Sequence, residues 1–347
     1  SDGTVGCDAC GKRFCVELVT NVFYLNGIRR YACSMNCRSQ LSSEAQGARL
    51  GELGADDGSD KAVVRPTLVR LEEEENRAVL PRARRERSAS AHSRVVAVFN
   101  HKGGTGKTTT SVHLAAGLAL RGKRVLLVDT DAQGNVGVSF NLKAERTLYH
   151  VLVMGLAVEQ AVVRARDGLD VLVSNETLAA AELYLAGRQN RDRVLARRLE
   201  AVRHDYDVVV VDCSPSLSLM NQNALVFADS VLVPVACDYL SLVGVRQVIR
   251  TVKNVNQLLH HPVQIWGVLP TFYDGRARVC RDALETLKQH FGPRCLSPIR
   301  ASMKMKEAPA EGQTIFEHAP GSHAAEDYAA MVDAFVREPE YGRAASA

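Results

Sequence analysis

The chain has 347 residues, 46% of them hydrophobic, with a mean hydropathy of -0.09 and a formal net charge of +4 at pH 7. These values fit a soluble, core-forming protein with one large domain or two unequal ones, and the small net charge does not establish a nucleic-acid partner. No apolar run approaches the ~18–20 residues of a membrane helix, and Ser1–Asp8 lacks the regions of a secretory signal. We therefore expect a cytoplasmic protein.

Four of the nine cysteines form two pairs near the N-terminus, Cys7-x2-Cys10 and Cys33-x3-Cys37, with 22 residues between the pairs. Two pairs at this spacing can place four thiolates around a Zn²⁺ ion. A segment of ~40 residues also buries too little surface to be stable alone, so a metal staple is physically expected. The sequence therefore predicts a zinc-binding module over residues 1–42. Unrelated free cysteines, or a redox pair at the first two, are the alternatives.

The residues around these cysteines follow the pattern Cys-x2-Cys-Gly-Lys-x-Phe and then Tyr31-Ala32-Cys33. This segment resembles the small TRASH/MYM-type zinc modules. Such modules bind protein, bind nucleic acid or only stabilise, and the modest positive charge here favours protein docking. Cys15 lies outside the spacing and is not expected to be a ligand.

Residues 43–93 differ in composition from both flanks, with scattered glycine and aspartate. This composition predicts a flexible charged linker. Within it, Leu68–Arg77 is a candidate short helix, and Arg82–Arg87 is a basic run that is either a solvated face or a docking arm.

From Arg94 onward, apolar runs alternate with helical patterns, which predicts an α/β domain with a doubly wound, mostly parallel sheet. We assign this domain to residues 94–340, followed by a tail over residues 341–347. The predicted strands are Val95–Phe99, Arg124–Val128, Leu169–Val173, Asp207–Val211, Ser230–Val235, Gln264–Leu269 and Cys295–Ile299. The predicted helices are Thr108–Arg121, Arg191–Arg203, Leu242–Leu259, Arg278–Phe291 and Ala324–Val336. Ligands bind at the carboxyl ends of such strands.

A glycine-rich stretch joins the first of these strands to the first helix. It reads Lys102-Gly103-Gly104-Thr105-Gly106-Lys107-Thr108-Thr109. Glycines in this context let backbone N–H groups approach phosphates at a helix N-terminus. Lys107 would neutralise the β- and γ-phosphates, and the Thr108 hydroxyl would complete a Mg²⁺ shell. The stretch therefore predicts a nucleotide-binding P-loop over Gly103–Thr109, rather than an ordinary glycine turn.

The strict P-loop pattern has glycine where this chain has His101, and a second lysine, Lys102, follows. Lysine at this point resembles the deviant Walker A box of the ParA/MinD family of partition and positioning ATPases. The resemblance implies ATP and Mg²⁺ as cofactors, weak ATP hydrolysis, and a nucleotide-dependent homodimer. It also implies that Lys102 reaches across that dimer to the partner's nucleotide.

Two more strands end in carboxylates. The stretch that begins at Asp129 reads Asp-Thr-Asp-Ala-Gln-Gly-Asn and resembles the family's Asp-x-Asp-Pro-Gln-Gly-Asn box, with Ala132 in place of proline. The resemblance implies that Asp129 holds a Mg²⁺-bound water and that Asp131 orients or activates the attacking water. Asp212 follows four valines, which predicts a Walker B carboxylate for Mg²⁺. The alternative is a strand that meets a helix cap.

The resemblance assigns further residues in the later part of the chain. Pro270 and Thr271 match the family's adenine pocket. Arg276, Arg300 and Lys304 belong to a basic set where ParA-type members contact DNA through phosphates. A solvated helix face is the alternative, since acidic residues are interspersed.

The function predicted from the whole chain is that of a ParA-like ATPase that binds double-stranded DNA nonspecifically and positions DNA or a cellular cargo. A ParB-like or cargo-adaptor activator and nucleoid association are implied with it. A MinD-like membrane-cycling ATPase is disfavoured because the tail has no apolar face, so we expect no membrane partner. A zinc-dependent regulator that uses nucleotide only as a switch remains an alternative. Electron transfer is rejected because the later cysteines are scattered.

Overall fold

The structure is a computed structural model that describes residues 4–15, 22–25, 28–33, 37, 40–41, 93–216, 218–238 and 241–337. The predicted linker before residue 93, with its candidate helix and basic run, and the predicted tail lie outside these residues. The chain divides into two compact units, Ser1–Asn76 and Arg77–Ala347.

The described part of the first unit contains two small antiparallel pairs of strands. Strand β1 (Thr4–Gly6) pairs with β2 (Arg13–Cys15), and β3 (Val22–Leu25) pairs with β4 (Ile28–Tyr31). Between β1 and β2 the backbone closes a tight turn, because Gly11 donates to the Cys7 carbonyl at 2.9 Å. Gly11 has a φ of 74°, which suits glycine at this turn.

The second unit is built on a seven-stranded sheet in the order β11-β10-β5-β9-β6-β8-β7. All neighbours run parallel except β7, which pairs antiparallel with β8 at the edge. The predicted α/β fold with a mostly parallel sheet is therefore confirmed. The strands are β5 (Arg94–Val98), β6 (Val125–Asp129), β7 (Val163–Arg166), β8 (Leu169–Leu172), β9 (Val208–Asp212), β10 (Ser230–Ala236) and β11 (Gln264–Thr271).

Helices cover both faces of this sheet, and a separate apolar core lies on each face. The central strands are apolar at nearly every position because both of their faces are buried. In the described residues the helices are α1 (Lys107–Leu120), α2 (Asn135–Ser139), α3 (Leu148–Leu152), α4 (Leu178–Ala186), α5 (Val194–Arg203), α6 (Leu219–Phe227), α7 (Ser241–Leu258), α8 (Arg278–Phe291), α9 (Lys304–Glu307), α10 (Ile315–His318) and α11 (His323–Arg337). No helix among them is long and apolar enough to cross a bilayer.

The predicted strand Cys295–Ile299 is wrong. The segment runs beside the edge strand β11, and Leu296 and Ile299 donate to β11 carbonyls at 2.9 and 2.8 Å. Between them, Pro298 has no N–H to donate, so the ladder is interrupted and only isolated bridges form. Strand β7, which has only one neighbouring strand, and the helices α4 and α6 were not predicted from the sequence.

Helix α1 is fastened to the C-terminal helices through a buried histidine. His113 is 2% exposed, stacks on Tyr328 with ring centroids 4.7 Å apart, and accepts a hydrogen bond from the Ile315 N–H at 2.9 Å through Nε2. Its Nδ1 lies 2.6 Å from the Thr109 carbonyl, which requires a proton on Nδ1 in the neutral ring. Burial lowers the pKa of His113 from 6.5 to about 4.

This shift predicts a specific acid sensitivity of the second unit. Below pH 6.5 the unfolded chain protonates His113 whereas the folded protein does not until about pH 4, so the free energy of unfolding falls across this window. We expect His113 to contribute a loss of about 2 kcal/mol between pH 7 and pH 5. Asp129 and Asp212 also titrate in this window, but they are common to both proteins. Denaturant titrations at the two pH values should therefore show a change that is about 2 kcal/mol more destabilising in the wild type than in a His113→Asn variant. An equal loss in both proteins would contradict the prediction.

Candidate active site

The glycine-rich stretch forms a loop between the end of β5 and the start of α1. Gly104 and Gly106 have φ values of 71° and 83°, a region that disfavours residues with a Cβ. The buried Lys107 points back over the loop and donates from Nζ to the Lys102 carbonyl at 3.0 Å. Burial lowers the pKa of Lys107, and the nearby Asp212 carboxylate opposes this shift. The loop therefore holds an ammonium group and glycine backbone at the N-terminus of a helix, as anion binding requires.

Two carboxylates lie side by side at the ends of neighbouring strands. Asp129 and Asp212 are register partners in β6 and β9, and both are fully buried. Asp212 accepts hydrogen bonds from the Thr108 hydroxyl at 2.8 Å and from the Ser111 hydroxyl at 2.7 Å. Asp129 accepts from the backbone N–H of Asp131 at 3.0 Å. Sequence reasoning missed Ser111, which lies one helical turn after the lysine of the loop.

The electrostatics of this pair favour a divalent cation. Burial, with the neighbouring Asp212 carboxylate, raises the pKa of Asp129 well above its usual range, and burial raises that of Asp212 to about 6. A cation between them would remove the cost of two adjacent buried negative charges. The Thr108 hydroxyl beside them supplies the kind of oxygen ligand that Mg²⁺ takes. The three predicted Mg²⁺ residues are therefore together, and their chemistry fits the ion.

Asp131 lies at the exit of β6, half-buried, in a turn that leads into α2. Its carboxylate accepts the Gln133 N–H at 3.1 Å, and the Gly134 N–H donates to its carbonyl at 3.1 Å. These hydrogen bonds define the turn although Ala132 stands where the family box has proline. A Cβ on Gly134 would lie 2.7 Å from the Ser174 carbonyl, so this glycine is sterically required.

The side chain of Lys102 is paired with a residue outside the loop. Its ammonium group forms an ion pair with the Asp238 carboxylate, and its backbone N–H donates to Asn100 Oδ1 at 3.1 Å. Asn100 is buried, and its amide donates to the Pro234 carbonyl at 2.8 Å, which fixes the start of the loop to β10. Sequence reasoning missed both Asn100 and Asp238, because neither belongs to a recognisable motif.

A family model described as an AAA domain matches residues 93–265. The chain is 39% identical over 240 residues to the sporulation initiation inhibitor protein Soj of Bacillus subtilis, covering 68% of this chain and 95% of Soj. It is 40% identical over 253 residues to the chromosome-partitioning ATPase Soj of Thermus thermophilus, covering 72% and 98%. The chain belongs to the ParA/Soj family of P-loop ATPases.

Solved structures share the fold of this chain. Cobyrinic acid a,c-diamide synthase from Mycobacterium smegmatis, with bound ADP and magnesium, is 35% identical, with a TM-score of 0.62 and coverage of 71% of this chain and 94% of that one. Cyanothece McdA, solved as a complex of a variant with ATP, shares the fold at 22% identity and a TM-score of 0.65, covering 72% and 98%. The two Soj relatives confirm the ParA-type ATPase predicted from the deviant Walker A box.

The ion pair of the ParA-type lysine gives a testable prediction. Lys102 must leave Asp238 if it is to reach a partner's nucleotide, so replacing Asp238 with asparagine should favour the dimer. Because both groups are partly exposed, the effect is about 1 kcal/mol or less for each protomer, so each of the two released ion pairs changes the dimerisation constant by at most about 5-fold. Sedimentation with a non-hydrolysable ATP analogue measures it, with Asp333→Asn, which breaks the remote pair with Arg121, as the control. A weaker dimer in the Asp238→Asn protein would contradict the prediction.

The loop after the Walker B strand β9 is held by an asparagine of α6. Asn221 donates from Nδ2 to the Ser214 carbonyl at 2.8 Å, and Ser214 Oγ lies 2.9 Å from Ser216 Oγ. The Ser218 hydroxyl caps α6 by accepting the Asn221 N–H at 3.2 Å. Ser214 stands where the ParA family usually has proline. The hydrogen bonds of Ser214 therefore hold the loop where a proline ring would restrict its backbone.

The predicted base pocket lies next to the P-loop. Pro270 and Thr271 are buried at the end of β11, and the Thr271 hydroxyl donates to the Thr105 carbonyl at 2.9 Å. Sequence reasoning missed Phe272, which is 47% exposed, has a φ of 54°, and lies with its ring 3.5 Å from where a Cβ on Gly106 would be. The adenine contacts of Pro270 and Thr271 stay a prediction.

The predicted DNA-contacting residues each have an acidic partner. Arg276 pairs with Asp274 at 2.9 Å, and Arg300 pairs with Asp327 at 2.7 Å. Lys304 pairs with Glu307 at 3.0 Å. These three cations lie on exposed surface, but a phosphate would have to compete with a carboxylate at each of them.

In the first unit, the four predicted cysteine ligands come together. Their sulfur atoms all lie within 4.8 Å of one another, with Cys10 and Cys33 at 3.5 Å and Cys33 and Cys37 at 3.7 Å. Four Zn–S bonds of ~2.3 Å in a tetrahedron put the sulfurs about 3.8 Å apart. Burial raises the pKa of Cys7, but backbone N–H groups, with that of Cys33 foremost, lower it to about 6. This geometry and donor set fit a zinc ion.

Proposed function

We propose that this ParA-type chain is an ATP-dependent dimerisation switch whose ATP-bound dimer binds duplex DNA nonspecifically and positions DNA or a cellular cargo. The observation that carries the proposal is the buried Asp212, which the Thr108 hydroxyl joins to the P-loop while Asp129 lies beside it. Lys102 supports the dimer through the family resemblance, and it would leave its ion pair with Asp238 to reach the partner's nucleotide.

Different residues of the site would bind the phosphates, hold Mg²⁺ and orient the attacking water during transfer of the phosphoryl group to water. Lys107 and the backbone of Gly103–Thr109 would bind the β- and γ-phosphates, and Thr108, Asp129 and Asp212 would hold Mg²⁺, directly or through water. The ion, when bound, supplies positive charge to the phosphate oxygens. Asp131, at the open end of β6, would orient the attacking water. Positioning and charge would carry the catalysis, and we expect slow turnover that a partner stimulates.

The roles outside this centre follow from the family. Pro270 and Thr271 would contact the adenine base, and Lys102 would reach the nucleotide of the second protomer. Soj of Thermus thermophilus is a chromosome-partitioning ATPase, which supports a ParB-like or cargo-adaptor activator and a cytoplasmic, nucleoid-associated location for this chain.

We propose one Zn²⁺ per chain at Cys7, Cys10, Cys33 and Cys37. The ion would hold together the two hairpins, whose described residues bury few apolar side chains. The module would serve to dock a protein partner, since the sequence between its cysteines carries little charge.

A direct test compares DNA binding in the two nucleotide states. Full-length protein with Mg²⁺ and either an ATP analogue or ADP is mixed at low salt with two duplexes of unrelated sequence. We expect retardation of both duplexes with the ATP analogue and of neither with ADP. Equal binding in both states, or none in either, would overturn the DNA-binding part of the proposal and leave a protein scaffold or a membrane-cycling ATPase.

A further inference from the structure

Helix α7 (Ser241–Leu258) carries positive charge without any acidic residue. Its three cations, Arg246, Arg250 and Lys253, have the spacing i, i+4, i+7, which places them on one face of the helix. Gln257 continues the same row. We call these four residues the basic face of α7.

The basic face is exposed, and the opposite face of the helix is buried. Val245, Val248, Val252 and Val255 pack into the core of the second unit and fix the orientation of the helix. All four residues of the basic face are exposed. The valine face of the helix is therefore buried in the core, and the charged side chains of the opposite face are exposed to solvent.

These cations differ from the three that the sequence analysis selected. Among the residues that the structure describes, no carboxylate forms an ion pair with Arg246, Arg250 or Lys253, whereas Arg276 and Arg300 are each paired. A phosphate that approaches α7 would not have to displace an acidic group. Electrostatic attraction of a polyanion is thus stronger here for the same number of cations.

The spacing of the charges suits a phosphate backbone. With a rise of ~1.5 Å per residue, Arg246 lies about 6 Å from Arg250 along the axis, and Lys253 about 4.5 Å further. Each strand of duplex DNA offers one negative charge per ~3.4 Å of the axis, so three phosphates of one strand lie within this reach. The amide of Gln257 can add a hydrogen bond of the kind that side-chain amides make to phosphates.

The helix is also linked to the nucleotide site. His101, directly before the ParA-type lysine, lies with Nε2 2.8 Å from the Thr251 hydroxyl on α7. Gly244, in the first turn of α7, packs against Asn100 and Lys102, where an added Cβ would lie 3.4 and 3.9 Å from their side chains. A movement of Lys102 on dimer formation would therefore change its packing against the first turn of α7.

We propose that the basic face of α7 is the main contact surface for the phosphate backbone of duplex DNA. This inference rests on the proposed function and names the surface that serves it. An acidic protein is the other class of partner that charge alone would allow. The face suits DNA better, because a protein interface needs large apolar or aromatic anchors and this row has none.

The test measures the salt dependence of DNA binding in the full chain with Mg²⁺ and an ATP analogue. The first variant combines Arg246→Gln, Arg250→Gln and Lys253→Gln. The matched control combines Arg276→Gln, Arg300→Gln and Lys304→Gln, and removes the same charge. The ATP-bound dimer carries two such faces. We expect the first variant to lower the slope of log K against log salt by about 2.7 for each face that contacts the duplex, which is ~0.9 per lost contact, and the control to change it by less than about one.

Two further measurements test whether the first variant remains folded and whether charge alone is required. Basal ATP turnover and the thermal midpoint of the first variant should match the wild type, because only solvent-facing side chains change. A variant with Arg246→Lys and Arg250→Lys should keep the wild-type slope, since phosphate contact needs charge rather than a particular side chain.

The outcomes separate this inference from the function beneath it. If the wild type binds DNA with ATP and the α7 variant keeps its slope, the inference is wrong and the proposed function stands. An α7 variant that keeps its slope but loses stimulation by an activator protein also overturns it, in favour of an acidic protein partner. If the wild type binds no duplex at low salt in either nucleotide state, the proposed function itself fails.

Discussion

Replacing Asp131 with alanine is expected to lower the steady-state rate of ATP hydrolysis by about 100-fold or more while ATP binding is retained. The reason is its position. Asp131 lies half-buried at the open end of β6, and its side chain makes no hydrogen bond to the P-loop among the described residues. The carboxylates that would hold Mg²⁺, Asp129 and Asp212, are unchanged by this substitution. Turnover measured by phosphate release, with binding measured by a fluorescent ATP analogue, separates the two effects.

The control for this variant is Glu200→Ala, which removes an exposed carboxylate from α5. It should hydrolyse ATP at the wild-type rate. A Lys107→Ala variant should instead lose nucleotide binding. Full turnover in the Asp131→Ala protein would remove that residue from its catalytic role.

Removing the zinc ion is expected to unfold the described part of the first unit while the ATPase continues to work. Structural zinc sites contribute roughly 10–16 kcal/mol of apparent binding energy at pH 7, far more than two short hairpins can supply. The ATPase core is built separately from residues 93–337 and should not require the ion. Elemental analysis should find one zinc per chain, and circular dichroism during chelation should follow the loss of structure.

The chain offers a matched control for the zinc ligands. Cys33→Ser should reduce the zinc content to well below one per chain, and Cys15→Ser should leave it unchanged, because Cys15 lies outside the ligand spacing. ATP turnover should be the same in both variants. Freshly purified wild-type protein without metal, or an equal zinc loss from both variants, would contradict the proposed site.

The sequence alone predicted those parts of the site that depend on residues close together in the chain. The P-loop, Asp129 and Asp212 lie at strand ends, and buried strands are visible as apolar runs, so the positions of the carboxylates follow from the residue pattern. The four cysteines were found by spacing alone. In each case the residue type, its neighbours and the fold rule all indicate the same chemistry.

The residues that were missed depend on contacts between distant parts of the chain. Asp238 faces Lys102 across 136 positions, and the Ser111 hydroxyl reaches Asp212 across 101. Nothing local marks either residue. The positive φ of Phe272 is likewise a consequence of how β11 ends beside the P-loop.

Secondary structure was mispredicted where one backbone group decides the outcome. The apolar run from Cys295 to Ile299 indicated a strand, and the segment does lie along β11. Pro298 lacks the N–H that would complete the ladder. The acidic partner of Arg300 was also not predictable, because Asp327 lies 27 positions away on α11, whereas Asp274 is only two residues before Arg276.

The central claim is that ATP, and not ADP, joins two copies of this chain. Light scattering coupled to size exclusion measures it directly on the Asp131→Ala protein, in which ATP should persist. We predict twice the chain mass with Mg²⁺ and ATP, the mass of one chain with ADP, and the mass of one chain with ATP for the double variant Lys102→Ala, Asp131→Ala. One mass in all three conditions, whether that of a monomer or of a dimer, would contradict the switch.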